Sequence, residues 1–163
     1  WVNLPAEKKM MAPAYQDIPA DRISHASFEG GTARVIAGAF EGVVGPAQPQ
    51  IPIRLMDVRL DSGTEWTIEP AEGSDLFMCV YEGTIQAPDS EGGQHEVPAP
   101  GVAVFGGDGT VTVTAGPDGA DILYCEGQPI REPVEKYGPF VMNTRAELQQ
   151  AVDDFNSGKL AVG

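Results

Sequence analysis

From about residue 33 to 126 the chain repeats one pattern, a short apolar run followed by a cluster of Gly, Pro, Asp or Ser. The runs are RVIAGAF (34–40), IPIRLMDVRL (51–60), WTI (66–68), LFMCVY (76–81), VAVF (102–105), TVTVT (110–114) and DILYC (121–125). Between them fall DSG (61–63), EG (82–83), EGG (91–93), GGDG (106–109) and PDG (117–119). Short runs rich in Val, Ile and Thr, bounded by turn residues, read as strands, and a series of them predicts an antiparallel sandwich or barrel. In TVTVT, Val111 and Val113 alternate with Thr, as on a strand with one face in the core. LFMCVY has no polar face and is expected to be covered on both sides. GGDG lies between two strands and reads as a hairpin turn.

The chain has 163 residues, enough for one domain with a real core. Ten Lys and Arg stand against 24 Asp and Glu, a formal charge of −14 that argues against direct contact with nucleic acid or an anionic membrane. No apolar run approaches the ~20 residues that span a bilayer, and with no targeting signal a cytoplasmic location is expected. Cys79 and Cys125 lie in apolar runs and read as buried thiols. His25, in a connector, and His95, at a hairpin edge, read as solvated surface residues. Glu69 and Asp75 read as rim carboxylates, with a general acid–base pair as the sharper alternative.

The first 20 residues, with Pro5, Pro13 and Pro19, show no clear period and read as a piece of strand, WVNLP, plus an ordered connector. The closing arm, 129–163, carries the one convincing helix, at about 145–157. Thr144 and Glu147 form a capping box. Leu148, Ala151, Val152 and Phe155 fall on one stripe, and Gly158 is placed to end the helix in the left-handed conformation.

The stretch REPVEKYGPFVMNT (131–144), with WVNLP, KMMAP and YQDI near the start, resembles the C-terminal half of the pirin family. The resemblance implies an all-β fold: an antiparallel cupin-type jelly-roll barrel, residues 21–128, closed by a short amphipathic helix. It implies a bicupin parent whose iron, or other divalent metal, sits in an N-terminal barrel, held by three His and a Glu. Residues 1–20 would then hold the closing strand of that barrel, and Trp1 would be a cut end within a longer protein. Some bacterial members are similar to quercetin 2,3-dioxygenases, and the animal protein is a nuclear transcriptional cofactor.

Cupin metal sites follow G-x5-H-x-H-x3,4-E-x6-G and G-x5-P-x-G-x2-H-x3-N. Two His separated by one residue point to the same side of a strand, and the Glu and third His complete a set that leaves positions open for substrate and dioxygen. Laid on this sequence, Gly63, Gly83, Gly93 and Gly101 fit. The ligand positions fall on Glu69, Ala71, Leu76 and Val104, with Asp75 adjacent to the third, Ala99 for the Pro and Asp108 for the Asn. No metal site is therefore expected in this barrel, and no cofactor or catalytic residue in this chain. The expected role is structural and regulatory, as partner of the N-terminal cupin domain, and dioxygenase chemistry of the quercetinase type would belong to the full-length parent. The alternatives are a protein-interaction role of the transcription-cofactor kind, or a binding module for a small aromatic ligand in the barrel around Trp66, Glu69, Asp75, Met78 and Val104.

Overall fold

A computed structural model describes residues 1–106 and 109–161. The chain divides into two compact units, Asp17–Pro129 and a second made of Trp1–Gln16 with Ile130–Gly163. The opening connector and the closing arm, separate segments in sequence, thus share one unit.

The larger unit is all-β, as the runs predict. Its strands are β1 (Ser24–Phe28), β2 (Gly31–Ala37), β3 (Ala39–Phe40), β4 (Val43–Val44), β5 (Ile53–Leu60), β6 (Glu65–Ile68), β7 (Asp75–Pro88), β8 (Gln94–Pro98), β9 (Gly101–Phe105) and β10 (Val111–Gly127). All pairings are antiparallel, in the order β1-β2-β5-β10-β7-β8, with β6 added to β10 and β9 to β7; β3 and β4 form a separate hairpin.

Two long strands fold the sheet over on itself. The first half of β10 pairs with β6 and its second half with β5, while β7 pairs first with β9 and then with β8. Both strands change partner where their mutual register slips, between Ala115 and Ala120. EG (82–83) and PDG (117–119), read from sequence as turn signals between strands, are therefore irregularities inside single strands. Gly83 and Gly119 have φ of 73° and 78°, and a Cβ on Gly83 would strike the Gly119 carbonyl. A bulge takes the same residues as a turn, because both need positive φ and close backbone approach.

The two layers enclose one core. Trp66, Ile68, Ile85, Ala87, Val113 and Ala115 face Val35, Met56, Val58, Leu60, Met78, Val80, Ile122 and Tyr124, all buried. The other face of β7 and β9 is not covered: Phe77, Tyr81, Val102 and Val104 are exposed, contrary to the expectation for LFMCVY. Alternation still governs the strand; its outer face is apolar without being buried. His25, placed by sequence in a connector, is an exposed residue of β1, and His95 is exposed on β8.

In the smaller unit, Trp1–Pro5 forms no strand; a 3-10 turn at Ala6–Lys8 follows it. A strand needs a ladder partner, and this segment finds none among the described residues. The arm contains the hairpin β11 (Glu135–Tyr137) and β12 (Phe140–Met142), then α1 (Arg145–Asn156). Thr144 Oγ1 accepts the Glu147 N–H at 3.2 Å, as a capping box requires. The Glu147 carboxylate reaches one residue further back than expected and accepts the Asn143 N–H at 3.1 Å. Gly158, φ 79°, follows the helix end. Leu148 and Ala151 are buried, but Phe155, the last residue of the predicted stripe, is 63% exposed.

Candidate functional site

Chemistry in a barrel of this kind is done by the side chains that point inward. On β6 these are Trp66 and Ile68, two residues apart on one strand, while β7 supplies Leu76 and Met78 and β9 supplies Ala103. All are apolar. Trp66 stacks on Phe28 with centroids 5.7 Å apart and meets Phe40 and Tyr124 edge-on at 6.1 and 5.9 Å. Rings at these distances fill the interior and attract each other through their quadrupoles. Among the described residues no group of three or more His, Cys, Asp or Glu could hold a metal ion. An iron of the kind the resemblance implies does not fit this donor set.

The positions singled out by spacing do not converge. Glu69 and Ala71 lie beyond the end of β6 and are exposed, Val104 is 77% exposed on the outer face of β9, and only Leu76 enters the core. Pro70 follows directly on Glu69, and both 69 and 71 share the outward parity of Glu65 and Thr67, so even a longer strand would turn them away from the interior that Trp66 and Ile68 face. The pocket expected from Trp66, Glu69, Asp75, Met78 and Val104 is likewise divided: Trp66 and Met78 are core, while the other three are exposed. Asp108 lies outside the described residues. Cys79 and Cys125 are free and half-buried on the outer face, and burial, then the neighbouring Cys79, pushes the Cys125 thiol up to about 11.

One polar group does enter the core. Glu126 continues the inward series of Ile122 and Tyr124, and its direct cross-strand partner is Arg54, which continues the series of Met56, Val58 and Leu60. Glu126 Oε2 accepts the Tyr124 hydroxyl at 2.6 Å and meets Arg54 Nη2 at 2.9 Å, while Oε1 accepts the Ala71 N–H at 2.8 Å. Arg54 also lies over the Tyr124 ring at 5.7 Å. Burial, then the Glu126 carboxylate, raises the Tyr124 hydroxyl well above its usual range, so it stays protonated and donates. Both Glu126 carboxylate oxygens and the Tyr124 hydroxyl thus find partners inside the cluster or on the backbone, and Arg54 Nη2 also donates to the Glu69 carbonyl at 3.3 Å. The sequence reading missed it, although its signal was there: an acid and a base at inward parity on two strands.

The smaller unit gathers the motif residues into a second network. Glu132 Oε2 accepts both the Ala6 N–H at 2.8 Å and Asn143 Nδ2 at 2.7 Å. Lys9 Nζ donates to Asn3 Oδ1 at 2.6 Å and to the Val141 carbonyl at 3.2 Å. Asn143 Oδ1 is buried with no partner among the described residues. These contacts tie WVNLP and KMM to REPV and FVMNT. Beside them open two apolar grooves that share Trp1. One, of ≈ 250 Å³, runs past Val2, Met10, Phe140 and Leu160; the other, of ≈ 490 Å³, runs past Val134, Lys136 and Val141.

Residues 55–161 match the family model described as the pirin C-terminal cupin domain. A pirin-like protein of Caulobacter vibrioides is 40% identical over 163 residues, covering 98% of this chain and 56% of that protein. Mouse pirin is 33% identical over 161 residues, 98% of this chain and 55% of that protein. A quercetin 2,3-dioxygenase from Acinetobacter baumannii superposes with a TM-score of 0.88 at 35% identity, over 98% of this chain and 55% of that one. The chain thus spans about half the length of these relatives. No helix among the described residues is long and apolar enough to cross a membrane. A match through the barrel and the arm alike, at this identity, places the chain in the pirin family as its C-terminal cupin domain.

Proposed function

We propose that this domain is the metal-free half of a pirin-like bicupin, acting as structural and regulatory partner of an N-terminal cupin that carries the metal. The supporting observation is the barrel interior, where Trp66, Ile68, Leu76, Met78 and Ala103 occupy the inward positions and aromatic rings occupy the space. On this reading the full-length protein is similar in activity to quercetin 2,3-dioxygenases, and the metal and its ligands belong to the other half. Dioxygenation of a flavonol needs a metal with open coordination positions to bring substrate and dioxygen together. Glu69 and Asp75 are exposed carboxylates that could accept a hydroxyl proton but could not deliver dioxygen.

The test is oxygen consumption with quercetin and added iron, copper or nickel, run on this chain and on the longer protein, with elemental analysis of both. Turnover and one metal per molecule confined to the longer protein are expected. Metal-dependent turnover by this chain alone would overturn the proposal. Silence from both, with metal bound in the longer protein, would move the reading towards the protein-interaction role.

A further inference from the structure

We propose that the smaller unit, Trp1–Gln16 with Ile130–Gly163, is the docking face for the other half of the protein, and that the larger unit contributes little to that interface. This rests on the bicupin reading above and adds which surface makes the contact.

Hydrophobic exposure is concentrated in this unit. Of the fourteen large hydrophobic residues exposed among those described, nine belong to it, including Trp1 at 91%, Tyr15 at 92% and Tyr137 at 70%. Among the described residues its buried hydrophobic side chains are Leu148 and Ala151 alone. A unit that buries so little cannot hold itself together by its own core, and apolar grooves of this kind mark interaction sites.

Charge points the same way. Lys8, Lys9, Arg131, Lys136, Arg145 and Lys159 balance Glu7, Glu132, Glu135, Glu147, Asp153 and Asp154 within the unit. The unit is neutral, and the whole formal charge of −14 falls on Asp17–Pro129. Exposed Trp, Tyr and Met are the residues enriched in interface cores, and a surface with no net charge meets a partner without the like-charge repulsion that a strongly acidic surface presents.

The occupant follows from length and direction. The relatives carry nearly as much chain again, and the match is to their C-terminal domain. Both grooves are lined by Trp1, so residues preceding Trp1 in such a protein would leave from the docking face itself. A partner tethered there meets the face at high effective concentration.

Hydroxyl-radical footprinting of this chain and of the longer protein tests the proposal, with sedimentation of this chain alone. Labelling of Tyr137 and Met10 should fall about tenfold in the longer protein while Tyr81, on the larger unit, stays within about twofold, as for residues at and away from an interface core. Val134→Asp with Tyr137→Asp should restore labelling of Met10 in the longer protein and leave the melting curve of this chain unchanged, since both side chains are exposed. Protection of Tyr81 instead of Tyr137 and Met10 would overturn the proposal and leave the bicupin reading standing. Protection nowhere would sink both. A dimer of this chain that the double variant dissolves would show the occupant to be a second copy, which also overturns it.

Discussion

Asp121 and Arg59 sit directly opposite each other on β10 and β5, and both guanidinium–carboxylate contacts are short, 2.7 and 2.6 Å. Hydrogen bonding from Arg59, then its charge, holds the Asp121 carboxyl below the usual carboxylate range against the opposing effect of burial. A group depressed in the folded state stabilises the fold above its unfolded value, ~3.9 for Asp, and that contribution is lost as pH falls through the folded value. The urea midpoint should therefore drop as the pH is lowered below about 4 in the wild type and less steeply in Asp121→Asn. Parallel acid limbs in the two proteins would show that the pair contributes nothing, as exposed pairs often do not. Glu126 is the opposite case, an acid enclosed with its partners. Glu126→Ala leaves Arg54 and the Tyr124 hydroxyl facing a void and should cost about 3–5 kcal/mol in urea denaturation. A loss below about 1 kcal/mol would mean that water replaces the carboxylate.

At the scale of elements, what could be read from sequence was period and what could not was partner. Every apolar run lies largely in strand, although TVTVT and DILYC belong to one strand, and β1, β4 and β8 fall outside the runs. Strand ends were not legible, because EG and PDG carry the same glycine signal whether the chain turns back or kinks and continues. Inward parity was equally legible in Trp66, Ile68, Arg54 and Glu126, yet the spacing borrowed from metal-bearing cupins placed the candidate ligands past the end of β6, at Glu69 and Ala71. The helix shows the same limit. Its stripe was correct in phase, but only the packing against β11 and β12 decides how much of it is covered. Leu148→Ala should cost about 2–5 kcal/mol, and Phe155→Ala, exposed apart from its edge contact with Phe140 at 5.8 Å, less than about 1 kcal/mol. Chemical denaturation followed by helical circular dichroism ranks the two, and the reverse order would place the covered end of the helix at Phe155.

Across the whole molecule, cohesion and charge are distributed oppositely. The larger unit has a continuous core from Ala26 to Tyr124 and all of the net charge, while the smaller unit has almost no core and none of the net charge. Neither fact can be read from the total of −14, since the halves of the smaller unit lie at opposite ends of the sequence and only the fold sums them. Self-repulsion of like charges opposes compaction and is screened by salt, over a Debye length of about 30 Å at 0.01 M and about 8 Å at 0.15 M. The larger unit should therefore gain stability between those salt concentrations, and the smaller unit should not. Hydrogen exchange read by mass spectrometry separates them within one sample. At low salt, amides of β11, β12 and α1 should exchange faster than those of β7 and β10, because a unit with so few buried residues opens at lower free energy. At 0.15 M, protection should rise in β7 and β10 and stay level in the arm. A common exchange rate across both units, rising together with salt, would mean that they unfold as one cooperative body and that the neutral arm draws its stability from the acidic barrel.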